Sequence, residues 1–353
     1  MKITVIGGGN IGTLMAAEMA AKGNEVTIYS RRPNEFQTHL IVYGKKLDVL
    51  LEADLAKVTS HLKEAVIDAE VIWITIPASA FAEIAAELSL YVKKGQKIGV
   101  VPGSGGAEFA FRSVIKKGCI LFGFQRVHSI ARLEQYGRSV HMLGRKEKLQ
   151  IGTIPADAGE EICHMTEELF DMPAIALPNY LNVTLTPSNP ILHTTRLYTM
   201  FREYVEGVKY PRNFLFYEEW DDASSEMLIA CDKELQMLCH VIPLDLNGVT
   251  SLQEHYESKT VSAMTKKISG IAAFKGLTSP MQKKEDGWIP DFTSRYFTAD
   301  FSYGIKVLID LADVYKVAVP NMKTVWNWYE QFCDNASYFQ LDMSVSEIEE
   351  TYL

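Results

Sequence analysis

Three glycines near the start of the chain, Gly7, Gly9 and Gly12, stand in Gly7-Gly8-Gly9-Asn10-Ile11-Gly12, which fits the spacing GxGxxG. Each glycine has its own task in such a loop. Gly7 permits a tight turn out of a strand, Gly9 lets the backbone approach a pyrophosphate, and Gly12 lets the next helix pack against the sheet. The helix that begins at Ile11 offers free N–H groups and a positive dipole end that attract phosphates. The chemistry implied is the binding of a nicotinamide dinucleotide by Gly7, Gly9, Asn10, Ile11 and Gly12. The alternative is a glycine-rich turn with no ligand. The apolar strand pattern before the loop and the helical pattern after it favour the first reading.

The second strand ends in Tyr29-Ser30-Arg31-Arg32. An NAD-specific site would carry an Asp or Glu here for the ribose 2′-hydroxyl. Ser30 instead offers a hydroxyl to a phosphate oxygen, and Arg31 offers a planar guanidinium to a 2′-phosphate. NADP(H) is therefore the preferred cofactor, with NAD(H) still open; both arginines as plain surface charge is the alternative. Two further loops, Ile76-Pro77-Ala78-Ser79 and Pro102-Gly103-Ser104-Gly105-Gly106, follow strand patterns, where ligands bind in open α/β sheets. Pro77 is taken as a further cofactor contact, although either loop reads equally well as an ordinary turn.

Hydride transfer to a carbonyl or imine also needs a proton handler and a grip on substrate carboxylates. His193, in Ser188-Asn189-Pro190-Ile191-Leu192-His193-Thr194-Thr195, is expected in the first turn of a helix, facing a cleft between two domains. Arg295 and Asp300 precede another apolar helix. Read as a site, Arg295 clamps a carboxylate and Asp300 pairs with a histidine. The plainer readings are a structural histidine, a surface ion pair and an N-cap aspartate.

These residues need a framework. Strand patterns at Lys2 to Ile6, Glu25 to Tyr29, Val71 to Ile76, Lys97 to Val101 and Cys119 to Phe124 alternate with helical stretches such as Ile11 to Lys22. The fold expected is α/β, a Rossmann-type, doubly wound parallel sheet over residues 1–180. His141 to Pro155 is expected to add edge strands. From Leu192 onward apolar spacings of three and four dominate, as in Ala223 to Val241 and Tyr303 to Tyr315. Residues 181–353 are thus expected to form a mainly α-helical substrate domain.

Composition narrows the function. The 353 residues are 47% hydrophobic and 22% charged, the balance of a globular protein of two domains. A formal net charge of -9 argues against nucleic acid as a partner. Five cysteines, Cys119, Cys163, Cys231, Cys239 and Cys333, form no CxxC pair, so neither disulfides nor a metal site is expected. No signal-peptide or membrane pattern stands at the start, and a cytoplasmic location is expected.

Taken together, the motifs resemble the opine dehydrogenase family, the octopine/nopaline dehydrogenase group that includes N-(1-D-carboxyethyl)-L-norvaline dehydrogenase. Pro102-Gly103-Ser104-Gly105-Gly106-Ala107 is similar to its PGxxGG segment, and Asn189-Pro190-Ile191-Leu192-His193 to its NPxxH segment. Ala273-Phe274-Lys275-Gly276-Leu277-Thr278-Ser279-Pro280 resembles the stretch before its RYxTED segment, which Arg295-Tyr296-Phe297-Thr298-Ala299-Asp300 itself resembles. The resemblance implies reductive condensation of an α-keto acid with the amino group of an amino acid, using NADH or NADPH. It implies His193 as acid–base, Asp300 as its carboxylate partner and Arg295 as a substrate-carboxylate contact. Ala299 stands where the family usually has Glu, and Ser302 where Pro is common. Two rivals are a reductase similar to ketopantoate reductase and a non-catalytic dinucleotide sensor. The first uses a lysine at the start of its second domain, and none lies between Cys163 and Tyr204. The helical domain leaves a homodimer open.

Overall fold

The computed structural model describes residues 1–332 and 337–352. By packing it divides into two compact units, Met1–Thr184 with the chain end from Ile348, and Leu185–Glu347.

In the first unit, β1 (Lys2–Ile6), α1 (Asn10–Ala21) and β2 (Glu25–Tyr29) open the chain. Next come β3 (His39–Tyr43), β4 (Val49–Asp54), β5 (Lys57–Thr59), α2 (Leu62–Val66), β6 (Val71–Ile74), α3 (Phe81–Leu88) and β7 (Lys97–Val100). Two short helices, α4 (Ala107–Ala110) and α5 (Arg112–Ile115), lead to β8 (Ile120–Phe124), β9 (Ser129–Gln135), β10 (Ser139–Arg145) and β11 (Leu149–Ile154). The unit continues through α6 (Gly159–Phe170), β12 (Ala174–Ala176) and α7 (Leu181–Thr184). The main sheet runs β12-β11-β8-β7-β6-β1-β2-β5. It is parallel from β8 to β5, and β11 joins β8 antiparallel. Val71-Ile72-Trp73-Ile74 is buried at every position, as a central strand covered on both faces requires. Strand order reverses at β1, so the glycine loop leaves the sheet at its topological switch point.

A second sheet, β4-β3-β10-β9, was not expected. Its presence follows from α1. The helix NIGTLMAAEMAA is apolar nearly all round, and a helix of that kind must be covered on every side. The main sheet covers one side; Leu40, Val42, Ala131 and Val140 of the second sheet share a buried cluster with Leu14, Met15 and Met19. The stretch His141 to Pro155 accordingly splits, β10 entering the second sheet and β11 the first. Glu18 is the one acid on α1 and is buried with it. Burial alone would raise its carboxyl, but a 2.7 Å hydrogen bond to His128 and an ion pair with Arg145 outweigh that and hold it low.

The second unit is built from α8 (Ser188–Phe201), α9 (Asp222–Val241), α10 (Leu252–His255), α11 (Val261–Ser269), the hairpin β13 (Met281–Lys284) and β14 (Gly287–Pro290), α12 (Arg295–Thr298), α13 (Lys306–Val314) and α14 (Pro320–Glu330). A π-helical turn, Phe301–Ile305, joins α12 to α13. Buried Glu234 of α9 accepts from the backbone N–H of Asn321 and Met322 at 2.8 and 2.9 Å, so it caps α14 from a neighbouring helix. No helix among the described residues is long and apolar enough to cross a membrane. Cys119, Cys163, Cys231 and Cys239 are free thiols, while Cys333 lies outside the described residues.

The last helix, α15 (Val345–Tyr352), departs from the expected division of the chain at residue 180. From Ile348 onward it packs with the first unit. Ile348 is buried, and the Tyr352 hydroxyl donates to Glu108 at 2.7 Å. Glu108 is fully enclosed and also accepts from the Thr184 hydroxyl at 2.6 Å. Burial raises its carboxyl from 4.5 to about 7, against the pull of those two hydroxyls. A carboxyl whose pKa is higher folded than unfolded stabilises most when protonated. Its contribution is complete below pH 4.5 and is lost as pH climbs to about 7. Glu108→Gln should remove this decline. Between pH 4.5 and 8 the variant's unfolding free energy should gain about 3 kcal/mol on the parent, read by urea unfolding at each pH. A difference that stays flat with pH would refute the assignment.

Candidate functional site

Two sets of side chains are candidates for a functional site, one in each unit. In the first, the loops after β1, β6 and β7 leave the same edge of three adjacent parallel strands. Gly7 adopts φ +113, a conformation L side chains rarely take. A Cβ on Gly12 would lie 1.9 Å from the Gly7 carbonyl oxygen, so only glycine lets α1 start so close to the strand. The Thr75 hydroxyl ties the turn by donating to the carbonyls of Ile6 and Gly7 at 3.1 and 3.0 Å. Gly9 caps α1 with no side-chain hydrogen bond, is exposed, and a Cβ there would meet nothing within 4 Å. An open surface over an uncapped helix N-terminus is what a pyrophosphate needs, so these residues fit a dinucleotide.

The other predicted contacts differ in availability. Ile11 is half-buried and packs against the core of the unit. The Asn10 side-chain oxygen accepts from the Leu133 N–H at 2.8 Å, which fastens α1 to β9 and leaves Asn10 its backbone N–H for a ligand. Ser30 is buried; its hydroxyl pairs with the Tyr136 hydroxyl at 3.0 Å and accepts from the Arg32 N–H at 3.1 Å. Arg32 lies 4.2 Å over the Tyr136 ring and pairs with Glu35 at 3.0 Å. Arg31 is exposed, with no hydrogen bond or ion pair to another described residue. Pro77 is exposed and opens the 3₁₀ turn Ala78–Ala80 beyond β6.

In the second unit, the structure brings His193 and Asp300 together across 107 positions of sequence: Nδ1 of His193 lies 2.7 Å from Oδ2 of Asp300. His193 stands in the second turn of α8, not the first. Pro190 occupies the opening turn, where its missing N–H is tolerated. Asp300 precedes the π-helical turn but does not cap it. Gly304 of that turn sits against Pro190, where even a Cβ would approach within 3.3 Å, and this close contact sets Asp300 beside His193. Arg295 begins α12, exposed, and its side chain makes no hydrogen bond or ion pair to a described residue, His193 and Asp300 included. The next residue, Tyr296, lays its ring 4.8 Å from that of His193.

Sequence reasoning missed two members. The Tyr217 hydroxyl lies 2.9 Å from Nε2 of His193. Tyr217 is buried and stacks on Phe274 at 4.1 Å, which gives a packing role to the segment around Ala273. Arg196, one helical turn beyond His193, is buried and donates to the carbonyls of Phe216 and Glu219 and to the Ser224 hydroxyl. It thereby pins the segment that carries Tyr217. The only sequence signal was the aromatic density of Phe214-Leu215-Phe216-Tyr217, which reads as core.

Comparison with known proteins bears on both units. Residues 176–333 match the family described as NAD/NADP octopine/nopaline dehydrogenase, alpha-helical domain, and residues 2–108 match the NAD-dependent glycerol-3-phosphate dehydrogenase N-terminus. Tauropine dehydrogenase of Arabella iricolor is 25% identical, over 93% of this chain and 90% of its own. Octopine dehydrogenase of Pecten maximus is 25% identical, over 94% and 90%. The chain is thus similar to opine dehydrogenases along most of its length. A solved octopine dehydrogenase with NADH and L-arginine has the same fold, with a TM-score of 0.82 at 23% identity over 94% of this chain and 89% of that one. The protein is an oxidoreductase dependent on a nicotinamide dinucleotide.

The glycine geometry separates folding from binding. Gly12→Ala forces a backbone clash and should cost about 2 kcal/mol or more in stability. Gly9→Ala meets only open space and should leave stability within about 1 kcal/mol. Its Cβ would nonetheless stand on the surface a pyrophosphate approaches, so dinucleotide affinity should fall at least about tenfold. Urea unfolding and NADH fluorescence titration of both variants test this; normal NADH affinity in a folded Gly9→Ala protein contradicts it.

Proposed function

We propose that this enzyme condenses an α-keto acid of the pyruvate kind with the amino group of an amino acid and reduces the product with NAD(P)H. The observation that carries the proposal is the hydrogen bond between His193 and Asp300 in a helical unit that matches the octopine/nopaline dehydrogenase helical domain. Amine and ketone join with loss of water to an imine; a hydride on its carbon and a proton then give a secondary amine. When bound at Gly7, Gly9 and Gly12, the dinucleotide supplies the hydride.

The chain's own residues handle the rest. Asp300 accepts the Nδ1 proton of His193, which leaves Nε2 as the ring position that exchanges a proton. His193 is the acid–base, Asp300 orients it, and Arg295, exposed and unpaired among the described residues, grips a substrate carboxylate. Removing a positioned acid–base typically costs about a hundred- to ten-thousand-fold in rate. His193→Ala should lose turnover to that extent and keep its affinity for the dinucleotide. The assay is NADPH oxidation with pyruvate and a panel of amino acids. Oxidation that requires both cosubstrates supports the reading; oxidation with the keto acid alone would mark a simple reductase.

NADP(H) is proposed ahead of NAD(H). No acid ends β2, and Arg31 is free there to meet a 2′-phosphate. Since the Ser30 hydroxyl is engaged by Tyr136 and the Arg32 N–H, Arg31 carries the preference and Ser30 supports the turn. Arg31→Ala should weaken NADPH about tenfold and NADH little, the value of about one charge-assisted contact. Equal losses for the two cofactors in fluorescence titration would remove Arg31 from the site.

A further inference from the structure

The imidazole of His193 is held at both nitrogens. Asp300 lies at Nδ1, and the Tyr217 hydroxyl lies 2.9 Å from Nε2. The phenol is packed in place: Tyr217 is 5% exposed, stacks on Phe274 at 4.1 Å and is flanked by Phe216 at 4.8 Å. Its backbone is pinned by Arg196 through the carbonyls on either side, Phe216 and Glu219. Burial, with Tyr296, Tyr256 and Asp300 nearby, holds the phenol well above its ordinary value, so it remains a donor.

A neutral imidazole has one N–H and one lone pair. A carboxylate accepts only, so at Nδ1 it calls for the proton. A phenol that donates at Nε2 calls for the lone pair. The two partners select the same tautomer from opposite edges of the ring. Either alone fixes one nitrogen; together they also fix the plane of the ring, because rotation about the Cβ–Cγ bond breaks both contacts at once.

We propose that Tyr217 is a positioning residue for the condensation reaction, holding the Nε2 lone pair of His193 in place and free of water until a substrate atom takes that position. The proposal rests on the reading above that His193 exchanges the reaction's proton. It assigns Tyr217 no contact with substrate; its effect passes through His193.

Tyr217→Phe removes the hydroxyl and keeps the ring that packs on Phe274. Long-range ¹H–¹⁵N spectra of the histidine rings, with His193→Gln to assign the signals, read the contact directly. In the parent, Nε2 should appear as a hydrogen-bonded acceptor, and in Tyr217→Phe it should move toward an unbonded acceptor nitrogen. With the unfolding midpoint and the NADPH affinity unchanged, kcat should fall about threefold to tenfold, the worth of one neutral hydrogen bond. An Nε2 signal that coincides in the two proteins overturns the proposal, as does an unchanged kcat. Absence of turnover in the parent itself would sink the condensation reading, while the Nε2 signal would still decide whether Tyr217 holds the ring.

Discussion

The helical unit is organised around a hydrogen bond between a half-buried carboxylate and a half-buried imidazole. Asp300 and His193 are far apart in sequence, and neither is exposed enough to rely on water. A carboxylate withdrawn from water must find donors or give up its charge. The requirement reaches well beyond the pair. The turn Phe301–Ile305 must lie against the start of α8, which the Gly304–Pro190 approach permits. The turn needs an apolar floor, supplied by Phe297, Phe301 and Tyr329, all buried, with Phe301 and Tyr329 4.4 Å apart. The π-helical turn follows from the same demand. Widening the helix by one residue per turn, as such bulges do at functional sites, re-aims the residue before it.

In the nucleotide-binding unit the corresponding constraint is the contact between Gly12 and the Gly7 carbonyl. It brings α1 so close to β1 that the helix can carry only small or flexible apolar residues on that side. Its far side is apolar as well and requires a second cover, the four-stranded sheet. Glu18 is caught between the two layers, and the buried group of Glu18, His128 and Arg145 follows from that position. His128 and Arg145, in the stretch between β8 and β11, therefore serve the fold around α1.

Much of this was legible in the sequence because it rests on local rules. Glycine spacing, continuous apolar runs and the three-four periodicity each report on a few neighbouring residues, so β1, α1, β6 and α9 are found within a residue or two of their expected bounds. His193 and Asp300 were paired through a resemblance to known motifs, because no local rule connects positions 107 residues apart. Tyr217 carried no signal beyond aromatic density: one tyrosine among several aromatic neighbours looks like core, and it is core except for its hydroxyl. Ser30 failed in the other direction. Its type suits a phosphate, yet Tyr136, more than a hundred residues away, already meets its hydroxyl. The β3–β4 pair was missed because its exposed apolar residues, Val49 and Leu50, blur the alternation that marks a strand.

The departure at Ala299 bears on Arg295. The family's usual glutamate would stand four residues after Arg295, on the same face of α12, at the spacing where an acid and a base on a helix pair. Ala299 removes that acid. Among the described residues Arg295 has no other ion-pair partner, and it is exposed beside the Tyr296 ring that covers His193. A guanidinium left without a partner is not stabilised where it stands, and it costs little to redirect toward an incoming carboxylate. In a relative with the acid in place, a substrate carboxylate would have to compete with it. The same substitution that loosens the match to the family motif therefore leaves Arg295 better suited to the part proposed for it.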